Sequence, residues 1–527
     1  MTTSSDIATR LGDPGFTPGI KTLRALLDLS GADDEDTAKL AARAVLRIER
    51  QYAGRVAKAV VTRAREAARP ARGRLTQLAG RLVAEARDPD GDARAWLLDA
   101  LGDDDPKTRR AATRALGKLA PAPEITAALE AAFARAASDD DKKALGLALG
   151  KAGVAVGQTG RAGLIAEREE ARRSPGAIDL LRAPASPLRV FHKTRSGLEE
   201  IVKREIGRGA RFFAPGVVET KLAGPLAEAL AIRTAAEIAF PLADREVEDL
   251  PSDVADALAS EEALAIFRAF TSTKAPIRFR VALARGGHQR ALVWKIAEAT
   301  RARTKELVND PKESTWEVAV DVAGSRLRIE LVPRGFVDPR FSYREDVVPA
   351  SSHPTIAAAL ARVAPRRDDD VVWDPFAGAG AELIERAKLG PYARLFGTDI
   401  ESAAVAAARA NARRAGVSRI LVERGDALDP LVPPDGVTTI ITNPPMGRRV
   451  QRGTHAELLE RFVDRAAEVL VPGGALVWIV PEPQRLRARA AEAGFVLESA
   501  TSLDMSGFSA ELSVYVKPGL SRTRKRR

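Results

Sequence analysis

The chain has no cysteine among its 527 residues and only four histidines. The first absence excludes disulfides, thiolate metal sites and cysteine nucleophiles, and the second argues against a histidine-built metal centre. Metal-free chemistry is therefore expected. Nor does the sequence hold a run of about 18 apolar residues, the length a membrane-spanning helix needs. The opening residues, Met1 to Asp6, have neither the basic nor the apolar stretch of an export leader. No membrane association and a cytoplasmic location are the resulting expectations.

Against these absences stands a hydrophobic content of 45%, enough for sizeable cores. A prior of about 150 residues per domain suggests three or four domains. Lys and Arg number 82 against 71 Asp and Glu, a net charge of +11, which suits a polyanion such as nucleic acid. Residues Ser521 to Arg527 (Ser-Arg-Thr-Arg-Lys-Arg-Arg) concentrate five cations. This basic tail, 519–527, reads either as a phosphate-gripping arm or as a solubilising end.

From Gly31 to Gly153 the chain is rich in Ala, Leu, Arg and Glu at helical spacing. The segment from Asp105 to Leu119 echoes that from Asp140 to Ala152, with Leu-Gly-Lys triplets 33 positions apart, and a weaker copy runs from Asp36 to Leu46. Paired helices at such a period point to a solenoid whose units bury their apolar faces only by stacking. The region 1–165 resembles HEAT-type repeats, which implies a docking surface for a protein partner; an Ala-rich bundle with a compositional echo is the other reading. Charge followed by Pro, Gly and Ser marks a linker over 166–187.

Beyond it, over 188–345, short strands and helices alternate in an α+β pattern. Strands are expected at Leu188 to His192, Gly216 to Thr220, Pro276 to Ala282, Thr315 to Val322 and Ser325 to Val332, and helices at Gly197 to Ile206, Pro225 to Ala239 and Ala291 to Leu307. Arg278 and Arg280 fall on one strand face, which suits either a phosphate-facing sheet or a solvated one. The order Ser196-Gly-Leu-Glu-Glu, Gly216-Val-Val, Ala231 to Ile238 resembles the amino-terminal part of THUMP-containing RNA methyltransferases. That resemblance implies a ferredoxin-like subdomain followed by an RNA-binding THUMP module. Arg340 to Arg344 and the helix from Pro354 look like that family's entry into its catalytic domain.

The segment 346–518 alternates strands and helices as a doubly wound, Rossmann-like α/β domain does. Val371 to Asp374 reads as a strand ending in an acid before a glycine-containing turn. Gly378 and Gly380 let the backbone approach a ligand, and Asp374 offers acceptors to a cationic amine. The next strand, Arg394 to Asp399, ends in a second acid, suited to a ribose diol. The strand from Ile420 precedes Gly425-Asp426-Ala427, and Val437 to Ile441 delivers Thr442-Asn443-Pro444-Pro445-Met446-Gly447-Arg448 to a fourth strand end. Two successive prolines hold Asn443 and Pro444 extended. By itself this is either a proline-rich strand exit or a set of acceptors aimed at an amino group. Four acceptor-bearing strand ends in order favour the second.

Asp374-Pro-Phe-Ala-Gly-Ala-Gly and Asn443-Pro-Pro-Met-Gly resemble the cofactor loop and catalytic motif of class I S-adenosylmethionine-dependent methyltransferases that act on amines. The resemblance implies that Asp374, Phe376, Gly378 and Gly380 hold the methionine end of S-adenosylmethionine, Asp399 the ribose, and Asp426 with Ala427 and Ile400 the adenine. It gives Asn443, Pro444, Pro445 and Met446 the catalytic positions, with the target amine held by Asn443 and the Pro444 carbonyl. Met446 departs from the family, which usually has an aromatic residue there to stack on the base. With the THUMP-like region, the implied reaction is methylation of an exocyclic amine of RNA, guanine N2 in rRNA or tRNA. Methylation of DNA adenine or of protein glutamine is the alternative enzyme reading, and a repeat scaffold with an inactive, cofactor-binding methyltransferase domain is the non-enzymatic one.

Overall fold

The structure, a computed structural model, describes every residue except 1–3, 14–15, 53, 120–121, 155–159, 175, 286–288, 350, 430–434, 447–451, 482, 506 and 520–527. The basic tail beyond Gly519 therefore lies outside the described residues.

The first part of the chain is helical throughout, from Ser4–Arg10 to Gly160–Arg173. Apolar residues three and four apart supply one continuous core, and polar residues start the helices. Asp105 caps Pro106–Leu116 by accepting from the amides of Lys107 and Thr108, and Ser138 caps Asp139–Lys151 by accepting from that of Asp141. The two Leu-Gly-Lys triplets end these two helices. A Cβ on Gly117 would lie 2.8 Å from the Ala148 Cβ, and one on Gly150 would lie 2.7 Å from the Ala162 carbonyl oxygen. Both glycines therefore stand where the next helix comes closest. Arg109 reaches from one helix to the next, donating to Asp141 and to the Asp103 carbonyl.

The stretch expected as a linker is ordered differently. Residues up to Arg173 complete the helix Gly160–Arg173, and the short strand Ala177–Ile178 pairs with Thr271–Ser272. Charge that resembles a solvated run is spent on contacts instead. Arg172 forms two bonds to the buried carboxylate of Asp310, Arg168 donates to the Asn309 carbonyl, and Glu167 accepts from Arg301.

The middle region is built on one eight-stranded sheet, ordered Arg211–Ala214, Val217–Leu222, Leu188–Lys193, Glu237–Glu246, Arg326–Pro333, Trp316–Ala323, Ile277–Leu283 and Leu307–Asn309. Phe240, Phe267, Phe270 and Trp316 form its aromatic core, and the indole of Trp316 donates to Thr271. The helix expected over 225–239 shrinks to Leu226–Leu230, and Glu237–Glu246 is a strand. Helical propensity in an Ala-rich stretch yields here to a sheet position between two strands. Arg278 and Arg280 are not free for phosphate, since they pair with Glu313 and Glu317 respectively.

The last region holds a seven-stranded sheet, ordered Ile420–Arg424, Arg394–Asp399, Val371–Asp374, Val437–Thr442, Leu470–Val480, Ser509–Val516 and Val496–Asp504. The first five strands are parallel, and the last two form an antiparallel hairpin. Pro472, Gly473 and Gly474 lie inside the fifth strand, where its pairing with Val437–Thr442 is irregular. Leu198 and Ile201, from the middle region, belong to the same apolar cluster as Ile356, Leu360, Leu503 and Leu512. No helix among the described residues is long and apolar enough to cross a membrane, and none of their His, Asp and Glu side chains gather as a metal site.

Candidate active site

Asp374 ends the central strand Val371–Asp374, whose buried neighbours Val372 and Trp373 pair in parallel with Thr439 and Ile440. This register sets Asp374 beside the end of the next strand. The Thr442 hydroxyl donates to Asp374 Oδ1 at 2.7 Å, and the Phe376 amide donates to the same oxygen at 3.2 Å. Oδ2 is buried and receives no hydrogen bond from the described residues. Burial, reinforced by the charge of Glu382, pushes this carboxyl well above the usual range. As a carboxylate, an acceptor enclosed in this way is stabilised by a cationic donor.

The turn after Asp374 is held open for close approach. Gly378 and Gly380 have φ of +50° and +81°, and a Cβ on Gly380 would lie 3.1 Å from that of Ala408. The Gly378 amide donates to Asp399 Oδ2 at 2.9 Å, tying the turn to the neighbouring strand end, while Oδ1 of Asp399 accepts from the Glu401 amide. Ile400 is 59% exposed beside it. Asp426 follows the strand Ile420–Arg424 and accepts from the Leu428 amide, and Ala427 is buried in the cluster around Trp373. The ring of Phe376 meets that of Phe462 edge-on at 5.4 Å.

Asn443 follows Thr442 directly. Its Nδ2 donates to Ser352 Oγ at 2.8 Å, whereas its Oδ1 is buried and accepts nothing from the described residues. The Ser352 hydroxyl in turn donates to Glu382. Glu382 is almost wholly buried, and burial raises its pKa to about 7 against the opposing effects of the Ser352 bond and Arg344. Pro444 is buried, Pro445 exposed, and Met446 is half-buried against the cluster that contains Leu198, Ile356 and Leu503. Gly447 and Arg448 lie outside the described residues.

The sheet thus brings Asp374, Asp399, Asp426 and Asn443 to the same edge, on adjacent strand ends. Three further residues belong to the site and were not expected in it. Thr442 was visible only as the neighbour of Asn443. Ser352 lies 91 positions away from Asn443 in sequence, in a loop with no local signature. Glu382 stands in the first turn of Ala381–Ala387, where an acid is ordinary.

Residues 342–508 match the UPF0020 family model, described as RMKL-like, methyltransferase domain. A tRNA (guanine(6)-N2)-methyltransferase of Thermus thermophilus is 32% identical over 213 residues, 40% of this chain and 62% of the relative. The U6 snRNA (guanine-N(2))-methyltransferase THUMPD2 of Bos taurus is 29% identical over 145 residues, 27% of this chain and 28% of the relative. The chain therefore spans less than two thirds of the length of either. The crystal structure of TrmN from Thermus thermophilus superposes with a TM-score of 0.52 at 26% identity, covering 62% of this chain and 99% of that one. What the chain shares with these proteins thus includes the carboxyl-terminal sheet, whose residues 342–508 match the RMKL-like methyltransferase domain model and carry Asp374 and Asn443 at neighbouring strand ends.

Proposed function

We propose that the chain transfers a methyl group from S-adenosylmethionine to an exocyclic amine of RNA, with guanine N2 in tRNA or rRNA as the target. The observation that carries this reading is the buried, unpartnered Oδ1 of Asn443 at the strand end beside Asp374, an amide acceptor one residue from the side chain that holds Asp374 in place. Both relatives named above are guanine-N2 RNA methyltransferases, which favours RNA over DNA adenine or protein glutamine.

The residues present fit the cofactor. Asp374 Oδ2 is an acceptor suited to the methionine ammonium, Asp399 lies within reach of the turn for a ribose diol, and Ile400 with Asp426 and Ala427 borders the place for adenine. When bound, the cofactor supplies an electrophilic methyl on a sulfonium sulfur. A conjugated amine is a weak nucleophile, so the protein's task is mainly to align it. Asn443 Oδ1 and the Pro444 carbonyl accept from the amine hydrogens, turn its lone pair toward the methyl and stabilise the positive charge that grows on nitrogen. Pro444 and Pro445 keep that geometry stiff.

The middle region is read as THUMP-like and RNA-binding, the amino-terminal helices as HEAT-type repeats that dock a protein, and the location as cytoplasmic. Near the amino end of the middle region, a cleft of 640 Å³ lined by Arg208 and Lys221 would suit a phosphate backbone. Incubation of the full chain with labelled S-adenosylmethionine and total RNA, followed by nucleoside analysis, tests the whole reading. Label in N2-methylguanosine is expected, and Asn443→Ala removes it while cofactor binding measured by calorimetry persists. Label confined to DNA or protein would refute the substrate, and binding without transfer to any of the three would favour a scaffold.

A further inference from the structure

The hydrogen bonds around Asn443 form a directed chain. A side-chain amide can face a partner with either its oxygen or its nitrogen, and only the surrounding donors and acceptors decide which. Ser352 has one hydroxyl proton, and it goes to the Glu382 carboxylate. The Ser352 oxygen therefore offers Asn443 a lone pair, which repels an amide oxygen and attracts an amide N–H. The observed 2.8 Å bond from Nδ2 obeys this, and it leaves Oδ1 pointing away as the unpartnered acceptor. A flipped amide would present N–H groups to an incoming amine and could not accept its hydrogens.

Resting on the methyl-transfer reading, we propose that Glu382 and Ser352 are positioning residues that hold Asn443 in the one amide orientation able to accept from the target amine. Neither is expected to touch the amine itself. The chain of bonds is directional only while Glu382 is an acceptor. Once protonated, Glu382 donates to Ser352, whose proton is then free to turn toward Asn443 and allow the flip.

The charged and titratable groups around Glu382 come from three elements. Asp374 faces it from the central strand, Glu385 from its own helix, and Arg344 and Tyr343 from the segment that precedes the helix Pro354–Val363. Glu385 works toward protonation and Arg344 against it, with burial the largest influence, and the group titrates at about 7. Methyl transfer should accordingly rise with pH through neutrality.

The test joins a kinetic and a spectroscopic arm, both on the full chain. Ser352→Ala should lower kcat on RNA about tenfold, the worth of one hydrogen bond to a buried group. The KM for RNA and the Kd for S-adenosylmethionine should stay the same, and Ser352→Thr, which keeps the hydroxyl, should recover most of the loss. Glu382→Gln should remove the acid limb of the kcat profile. In the second arm the side-chain amide resonance of Asn443, identified by its loss in Asn443→Asp, should shift with pH near neutrality in the unmodified protein and not in Glu382→Gln. An amide resonance indifferent to pH and to Ser352→Ala overturns the proposal, and so does a Kd for the cofactor that weakens in step with kcat, which would make Glu382 part of the cofactor site. If no RNA is methylated but the resonance titrates as described, the chain of bonds stands and the methyl-transfer reading falls.

Discussion

Asp374 spends one oxygen on Thr442 and Phe376 and keeps the other enclosed and unpaired. Replacing it with Asn removes the charge without changing shape. A hydrogen bond to a charged partner is worth about 1.5 to 3 kcal/mol, so Asp374→Asn should weaken S-adenosylmethionine binding about 10- to 100-fold by calorimetry. Glu382 adds a pH dependence to the fold itself. Its folded-state pKa of about 7 lies above the ordinary value of 4.5, so the folded protein holds a proton that the unfolded chain has already lost between those two values. Stability without cofactor should thus fall as pH rises through this window, by a difference on the order of 3 kcal/mol at most. Glu382→Gln should abolish that slope in denaturant titrations, whereas an unchanged slope would assign it elsewhere. Sequence made Asp374, Asp399, Asp426 and Asn443 legible because strand ends repeat at a readable spacing. It could not disclose Ser352 and Glu382, whose contacts with Asn443 exist only once distant segments meet.

At the scale of elements, the close approach of successive helices depends on glycine. A side chain at Gly117 would overlap Ala148, so Gly117→Val should force the helices Pro106–Leu116 and Asp139–Lys151 apart. Overpacking of this kind costs about 1 to 3 kcal/mol, which hydrogen exchange over residues 106–151 would register as faster opening. The Leu-Gly-Lys repeat was visible in sequence, and the packing gives it a physical cause. Elsewhere, local preference misled. The Ala-rich run from Pro225 reads as helix to Ala239, but Glu237–Glu246 is claimed by pairing with Leu188–Lys193 and Arg326–Pro333, partners far away in the chain. The charged stretch from Glu167 to Arg172 read as a solvated linker because its partners, Arg301, Asn309 and Asp310, are more than 130 positions downstream.

For the molecule as a whole, those same charges fasten the helical region to the middle region. Asp310 is inaccessible to solvent and receives two bonds from Arg172. Truncating Arg172 alone strands a buried carboxylate, a loss of about 3 kcal/mol, while replacing both residues with neutral ones of similar size should cost less. A double-mutant cycle read by thermal unfolding checks this, and additive losses would mean that the pair contributes nothing to docking. A second seam lies between the middle and last regions. Arg233 makes a two-pronged pair with the fully buried Glu385, to which the Tyr343 hydroxyl also donates.

That second seam continues where Gly197, at φ of +103°, lies against the backbone of Ser502, and where Leu198 and Ile201 enter the apolar cluster beneath the seven-stranded sheet. The segment that carries Asp374 and Asn443 is therefore not the unit that can stand by itself. A fragment starting at residue 346 would expose the apolar surface that Leu198 and Ile201 cover, and should aggregate, while one starting at residue 160, which keeps Arg172 on Asp310 and the strand Ala177–Ile178, should remain dispersed and fold. The segment from residue 346 therefore relies on Leu198 and the helix Glu199–Ile206 that follows it, both from the region before, to complete its apolar core.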